Sequence, residues 1–237
     1  MTPDIIYWTL VENTPDLLKD AERFLSPAEL EKLATFRFPK RRTDWLLGRW
    51  TAKSLLRGVA DYARFAPADI ELYSAPRGAP RVRLPDDLPF PGSLSISHRD
   101  ERAFCALSLA PGLNLGADLE KVEPRAAAFT EDYFTTAEKT WVRDCGPEQT
   151  DLAATLVWSA KESMLKALEV GLGWDTRWVE VGPAELSDGA GWKPLRVSSA
   201  AKEEHPWQAR GQRNGAYVLT VAGFGGAGEL RLVQVDG

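Results

Sequence analysis

Cysteine and histidine are scarce in this chain of 237 residues, which has two of each: Cys105 and Cys145, His98 and His205. Two cysteines build no disulfide framework. Both sit among apolar residues, as buried thiols of a reducing compartment do. So few histidines and cysteines argue against a zinc site. No apolar run approaches the roughly 20 residues that a membrane span needs. The N-terminus lacks a basic n-region and carries Asp4, so no signal peptide is expected. Positive charge is not in surplus either. The net charge of −5 disfavours a nucleic-acid binder. There is no G-x-S-x-G elbow, no P-loop and no dinucleotide fingerprint. The glycine-rich stretch at 223–228 lacks the required spacing. These absences leave an expectation of a cytoplasmic protein that engages neither membrane nor nucleic acid.

The composition, 44% hydrophobic and 27% charged, is that of a globular chain. Its length suits one large domain or two small ones. The charge is uneven. Arg37, Lys40, Arg41, Arg42, Arg49, Lys53 and Arg57 are opposed locally only by Asp44. On an acidic protein such a cluster suits a small polyanion, or else is a solvated helix face.

The apolar run 5–11 reads as a first strand. Ser26-Pro27-Ala28-Glu29 has the form of a capping box with proline at the first helical position, and predicts a short helix to about residue 35. Leu46, Leu47, Trp50, Leu55 and Leu56 recur at near-helical spacing, giving a second helix over about 41–59. Residues 76–80 form a turn. Strands are predicted over 93–97, 103–109 and 115–120. They are joined by short turns, so they read as an antiparallel meander. Thr135-Thr136-Ala137-Glu138 is a second capping box. Pro147 can start a helix that runs to Val170, with Gly171 as its cap. Short strands follow near 178–181, 192–197, 217–221 and 230–233.

Two segments repeat. Phe24 to Glu29 echoes Phe134 to Glu138, and Trp50-Thr51-Ala52-Lys53 echoes Trp158-Ser159-Ala160-Lys161, at nearly one offset of about 108 residues. The fold class expected is therefore α+β. It consists of two similar halves related by a pseudo-twofold duplication, each with antiparallel sheet and packed helices, and a ligand site between them. The halves would be residues 1–110, contacting the ligand's phosphates, and 111–237, carrying the acidic site. Accidental short matches are the alternative. Under the duplication, Glu162 stands where the first copy has Ser54, so only the second copy holds a full carboxylate set.

Asp118 and Glu120, two apart on a strand, share one face. Carboxylates so placed repel unless a cation, basic groups or solvent offset them. Glu162 and Lys166, four apart, share a helix face in the favourable order. Each pair alone reads as surface decoration. Together, three acids with no nearby His or Cys suit a hard cation such as Mg²⁺, which keeps positions open for substrate phosphates. Lys161 and Lys166 would supply point charges for those phosphates. Ser97 and His98, at a strand end before a turn, could also hold a phosphate.

Gly116-Ala117-Asp118-Leu119-Glu120, then Trp158-Ser159-Ala160-Lys161-Glu162 with Lys166, resembles the paired signature of the 4′-phosphopantetheinyl transferases. Ser97-His98 resembles the serine–histidine motif that the family carries upstream. With the length and the apparent duplication, the chain resembles the larger, pseudo-dimeric, surfactin-synthetase-activating type. The resemblance implies Mg²⁺-dependent transfer of the phosphopantetheine arm of coenzyme A to a serine of an acyl or peptidyl carrier protein, with release of adenosine 3′,5′-bisphosphate. It implies Asp118, Glu120 and Glu162 as metal ligands. Glu162, or a water held by the metal, is implied as the base, with Glu138 as a further candidate, and Lys166 as the stabiliser of developing charge. Arg41, Arg49, Arg77, Ser97 and His98 would contact the coenzyme, with Lys53 an addition on charge alone. A monomer is expected, because one duplicated chain supplies both halves of the site. Two other readings are a metal-dependent phosphate enzyme such as a nucleotide hydrolase, and a non-catalytic binding module.

Overall fold

The computed structural model describes residues 2–12, 16–59, 62–200 and 206–236. His205 lies outside them. The chain opens with β1 (Asp4–Glu12), α1 (Ala21–Phe24), α2 (Pro27–Ala34) and α3 (Pro39–Gly58). Next come β2 (Glu71–Ser74), β3 (Pro80–Arg83), β4 (Ser93–Arg99), β5 (Arg102–Ser108) and β6 (Asn114–Lys121). Three helices follow: α4 (Ala127–Tyr133), α5 (Thr136–Asp144) and α6 (Thr150–Ala167). The chain closes with β7 (Val179–Val181), β8 (Lys193–Leu195), β9 (Val197–Ser199), β10 (Gln208–Asn214), β11 (Tyr217–Phe224) and β12 (Leu230–Gln234). No described helix is long and apolar enough to cross a membrane.

Both expected capping boxes form. Ser26 Oγ accepts from the Glu29 amide at 3.3 Å, and Glu29 Oε2 accepts from the Ser26 amide at 2.9 Å. Thr135 and Glu138 repeat the arrangement at 3.3 and 2.8 Å. Helix α3 starts at Pro39, two residues before the expected start at about 41, because proline supplies a preset first turn. Helix α6 ends at Ala167, short of the expected Val170.

The architecture is α+β, with two four-stranded sheets in the orders β12-β1-β5-β4 and β6-β11-β10-β8. Their pairings are antiparallel except for β12 on β1. The predicted meander breaks here. β4 pairs with β5 as expected, through a turn in which Asp100 and Glu101 adopt left-handed φ of 47° and 60°. β6 does not join them, because β1 and β4 already occupy both edges of β5. It opens the second sheet instead. A division of the chain at 110/111 would also leave β12, from the C-terminal side, as the edge strand of the first sheet.

Strand alternation sorts the side chains into layers. Ile6, Trp8, Phe104 and Ala106 meet Leu115, Leu119, Leu219 and Val221 in a core between the sheets. On the outer face of the first sheet, Cys105 and Leu107 pack on Leu55 and Leu56 of α3. On the outer face of the second, Val218 and Ala222 pack on Leu156, Ala160 and Met164 of α6. Sandwiching both faces explains why β11 is buried at every residue.

Candidate active site

The same alternation sends Gly116, Asp118 and Glu120 toward α6. Helix and strand approach very closely. A Cβ on Gly116 would lie 1.8 Å from the carbonyl oxygen of Ser163 and 2.7 Å from the amide of Ala167. A buried hydroxyl trio fixes the helix against the neighbouring strand. Thr220 Oγ1 lies 2.9 Å from Ser159 Oγ and 2.6 Å from Ser163 Oγ. Thr220 is also the β11 partner of Asp118 in the ladder.

The seam between the two sheets is tied by the alternate serines of β4. Ser93 Oγ accepts from the Leu115 amide at 3.3 Å, and Ser95 Oγ from the Ala117 amide at 2.9 Å. Ser97 Oγ donates to Asp118 Oδ1 at 2.9 Å. Ser97, expected to touch substrate, thus holds the acidic residue itself. Lys166 Nζ completes the clamp, donating to Asp118 Oδ1 at 2.7 Å and to the Ala117 carbonyl at 3.1 Å.

Two carboxylate oxygens are left over. Asp118 Oδ2 and Glu162 Oε1 are buried and have no hydrogen-bond partner among the described residues. Burial pushes the Glu162 carboxyl up to about 7. Asp118 and Glu120 reinforce that shift, and Lys166 opposes it. Glu120 is differently placed, with both oxygens engaged. Arg125 Nη2 donates to Oε2 at 2.9 Å, and Trp158 Nε1 to Oε1 at 3.2 Å. Burial and Asp118 raise its pKa, while Arg125 and Arg99 oppose the rise. His98 is exposed, on the same strand as Ser97. Partial desolvation still draws its pKa below the ordinary histidine value, with Asp44 opposing and Lys166 reinforcing.

A cleft of about 180 Å³ adjoins this cluster, lined by Arg77, Arg81, Ser95, Lys166 and Glu169 among others. Its walls come from the β2–β3 hairpin, from β4 and from the C-terminal end of α6. A larger cleft of about 540 Å³ lies against α5 and the start of α6, with Trp141, Cys145 and Leu152 in its wall. None of the three acids lines it.

Four expected site residues are placed elsewhere. Lys161 and Glu138 are wholly buried as an ion pair, Nζ to Oε2 at 2.9 Å. Lys161 also donates to the carbonyls of Thr176 and Val179 at 2.9 and 2.6 Å. Glu138 Oε1 accepts from the Val181 amide at 2.8 Å. Burial pulls Lys161 below the ordinary lysine value, against the pull of Glu138. With every donor and acceptor of the pair committed inside the protein, neither side chain can reach a substrate. Lys53 repeats the pattern on α3, buried against Glu29 and the Phe24 carbonyl. Arg49 lies 3.4 Å from the same carboxylate, with its guanidinium over Trp45. The physical reason is common to all four. Each faces the interior side of its helix, where a charge persists only when paired. Arg41 and Arg77 are exposed, Arg41 over Phe36 and Arg77 at the cleft.

Removing one partner of a buried pair leaves an uncompensated charge. Lys161→Ala is therefore expected to lower stability by about 3–5 kcal/mol, and Lys161→Met with Glu138→Leu to recover part of it. The recovery is partial, because Glu138→Leu also leaves the Thr135 and Val181 amides without their acceptor. Urea unfolding measures both. A Lys161→Ala protein of unchanged stability but lost activity would return Lys161 to the site.

Residues 114–222 match the family model described as the 4′-phosphopantetheinyl transferase superfamily. The span takes in the acidic strand, the helix that faces it and the hydroxyl trio. Over that span, a little under half of its length, the chain is similar to this superfamily. A human relative, L-aminoadipate-semialdehyde dehydrogenase-phosphopantetheinyl transferase, is 28% identical over 198 residues, covering 79% of this chain and 62% of that one. A Thraustochytrium phosphopantetheinyl transferase is 30% identical over 165 residues, covering 64% and 55%. The 4′-phosphopantetheinyl transferase Sfp of Bacillus subtilis is 29% identical over 151 residues, covering 63% and 62%. The chain thus spans less than two thirds of the length of these relatives. Among solved structures, a Bacillus anthracis holo-(acyl-carrier-protein) synthase in complex with CoA (3′,5′-ADP) aligns with 44% of this chain and 92% of its own, at 24% identity and a TM-score of 0.37.

The motifs in the sequence did not point to Arg99, Arg125, Arg81 or Glu169. Arg125 follows Glu120 by five residues, across Pro124, where no helical or strand periodicity links them. Arg81 and Glu169 are 88 residues apart.

Proposed function

We propose that this chain transfers the 4′-phosphopantetheine arm of coenzyme A to a serine of acyl or peptidyl carrier domains, in a Mg²⁺-dependent reaction. The observation that carries this reading is the pair of buried, unpartnered oxygens, Asp118 Oδ2 and Glu162 Oε1, beside Lys166. Orphaned carboxylate oxygens in a desolvated site are costly unless a cation completes them. The donor set is all oxygen, which suits Mg²⁺. Among the described residues no group of three or more Asp, Glu, His or Cys side chains is placed to hold a metal ion, so the expected ligand set of Asp118, Glu120 and Glu162 does not assemble as three, Glu120 being held by Arg125 and Trp158. Mg²⁺ is commonly bound through one or two carboxylates, with water and phosphate oxygens in its other positions.

Asp118 and Glu162 would hold the ion, and Glu120 would support them from its Arg125 and Trp158 contacts. A bound Mg²⁺ supplies charge neutralisation on the diphosphate. Glu162, with its pKa drawn toward neutrality, accepts the proton of the carrier serine. The serine oxygen forms a bond to the phosphorus bearing the pantetheine arm, and the diphosphate P–O bond breaks. Adenosine 3′,5′-bisphosphate leaves with the bond electrons. Lys166 stabilises the negative charge that develops on the diphosphate. Arg77 and His98 would contact coenzyme phosphates, with Arg41 at the outer edge.

The chain is also read as two related halves, about 1–110 and 111–237, with the coenzyme between them. Three correspondences support this. The orders β1-β5-β4 and β6-β11-β10 run in parallel. Each half has a capping-box glutamate, Glu29 or Glu138, that pairs with a lysine of the long helix and accepts from a strand amide, Leu72 or Val181. The cleft beside Lys166 draws residues from both halves. A monomer follows from this reading, because one chain then supplies both sides of the site. The test is mass spectrometry of several apo carriers after incubation with coenzyme A and magnesium. Each modified carrier gains the phosphopantetheine mass, and no gain on any carrier rejects the proposal.

The same site predicts a pH signature. The folded pKa of Glu162, about 7, lies above its ordinary 4.5. The metal-free folded chain therefore holds this proton more tightly than the unfolded chain does. The stabilisation is complete below 4.5 and is lost as pH rises through 7. The metal-free Tm should fall across that window in the wild type and less steeply in Glu162→Gln. Magnesium, competing with the proton, should raise Tm more at pH 8 than at pH 5.5. Parallel pH slopes in the two proteins would remove Glu162 from this role.

A further inference from the structure

The cleft beside Lys166 contains one ion pair that the reaction does not use. Arg81 of β3 donates through Nη2 to Glu169 Oε2 at 2.6 Å, spanning from the β2–β3 hairpin to the turn after α6. Both side chains are half-exposed, at 41% and 38%. Arg81 also donates through Nη1 to the Pro80 carbonyl at 3.3 Å.

The backbone of Glu169 is unusual. Its φ is 56°, in the left-handed region that disfavours any residue with a Cβ. A half-exposed ion pair stabilises a fold too little to offset that strain. Glycine would serve the turn better if the turn were all that mattered. The glutamate is better explained by what its carboxylate touches than by the backbone it sits on.

The surroundings say what that is. Three cations line the cleft, Arg77, Arg81 and Lys166, and Glu169 is the one acid among the lining residues. Lys166 is committed to Asp118 and the Ala117 carbonyl. Arg81 is the cation whose partner can be exchanged without opening the acidic cluster. A guanidinium takes a phosphoryl group in the same forked geometry as a carboxylate.

We infer that Arg81 is a further phosphate-binding residue of this cleft, and that Glu169 occupies it in the free protein as a competing internal anion. The inference rests on the coenzyme reading above. An incoming phosphoryl group takes Arg81 from Glu169, and the freed carboxylate swings to solvent. Glu169 thereby weakens the binding of every anion, most of all those too weakly charged to displace it. The group bound is either the diphosphate or the 3′-phosphate, which are chemically alike at this site.

The two residues must then have opposite effects on affinity. Coenzyme A binding, measured by calorimetry with magnesium, should tighten about fivefold in Glu169→Gln and in Glu169→Gly, and weaken about tenfold in Arg81→Gln. The gain from Glu169→Gln should vanish in the Arg81→Gln background. Glu169→Gly should melt no lower than the wild type, so folding does not confound it. Dephospho-coenzyme A separates the sources. If Arg81 takes the 3′-phosphate, Arg81→Gln no longer weakens its binding; if the diphosphate, the weakening persists. Unchanged or weaker coenzyme binding in both Glu169 variants overturns the inference. That result is distinct from failure of the transferase reading, which shows as unmodified carriers whatever the affinities.

Discussion

Asp118→Asn and Glu162→Gln are each expected to slow carrier modification by roughly a thousandfold or more, equivalent to ~4 kcal/mol of transition-state stabilisation. Both changes keep size and shape. In Asp118→Asn, Ser97 and Lys166 hold the oxygen they already bind. The amide nitrogen then falls where Oδ2 now sits, buried and without a partner. A carboxylate oxygen that a cation would complete becomes a donor that repels one. Glu162→Gln removes the second such oxygen and the proton acceptor together. Glu120→Gln is the internal control. Both oxygens of Glu120 are already held by Arg125 and Trp158, so its loss should be smaller by about tenfold or more. Turnover on an apo carrier, with Tm recorded for each variant, checks the ranking. Equal losses at all three acids would mean that the two orphaned oxygens are not special.

Gly116→Ala should be nearly as damaging although it changes no charge. The added Cβ would meet only backbone atoms of α6, at 1.8, 2.7 and 2.9 Å. Hydrogen-bonded backbone in the last turn of a helix cannot rotate aside as a side chain does, so this end of the helix must move away from β6. Overpacking of this kind costs about 1–3 kcal/mol, sometimes more. The functional loss is the larger part. Glu162 and Lys166 ride on the displaced helix while Asp118 stays on the strand, and misplacement by about 1 Å can cost ~10²-fold in rate. Gly173 is the comparison. A Cβ added there would meet none of the described residues within 4 Å, and its φ is not left-handed. Gly173→Ala should be silent in both urea midpoint and turnover. A Gly116→Ala protein of normal stability and activity would show that the close approach is dispensable.

Where local chemistry decides the conformation, the sequence was legible. Ser26 and Thr135 announced their helices through the glutamates three residues on, and both boxes form. The alternating serines of β4 and the acids of β6 were readable as strand positions. β10 was not, because Gln-Ala-Arg-Gly-Gln-Arg-Asn offers neither apolar alternation nor β-branched residues. Its place is set by β11 and β8 on either side. The departure of β6 to the second sheet was equally hidden, since it depends on β1 having taken the far edge of β5.

In the site, the acids and Lys166 were legible because they repeat at strand and helix spacing. Lys53 and Lys161 were misjudged for a related reason. A lysine on a polar helix reads as solvated, and nothing local reveals a glutamate 24 or 23 residues upstream that will draw it inside. Ser97 was recognised, but its hydrogen bond to Asp118 was not, because a contact between β4 and β6 leaves no local sign in the sequence.

The parallel pairing of β12 with β1 has a consequence for how the chain is made. β12 leaves the ribosome 226 residues after β1, counted from Asp4 to Leu230, yet Asp4 to Trp8 find their partners in Leu230 to Gln234. Until β12 emerges the first sheet has a bare hydrogen-bonding edge, the kind of surface on which chains aggregate. That sheet cannot be completed while only the segments up to β5 have been made. It waits for a contact of long sequence separation, which makes its closure slow. Loss of β12 should therefore disturb the sheet built on β1, and a chaperone holding that open edge would improve the yield of native protein.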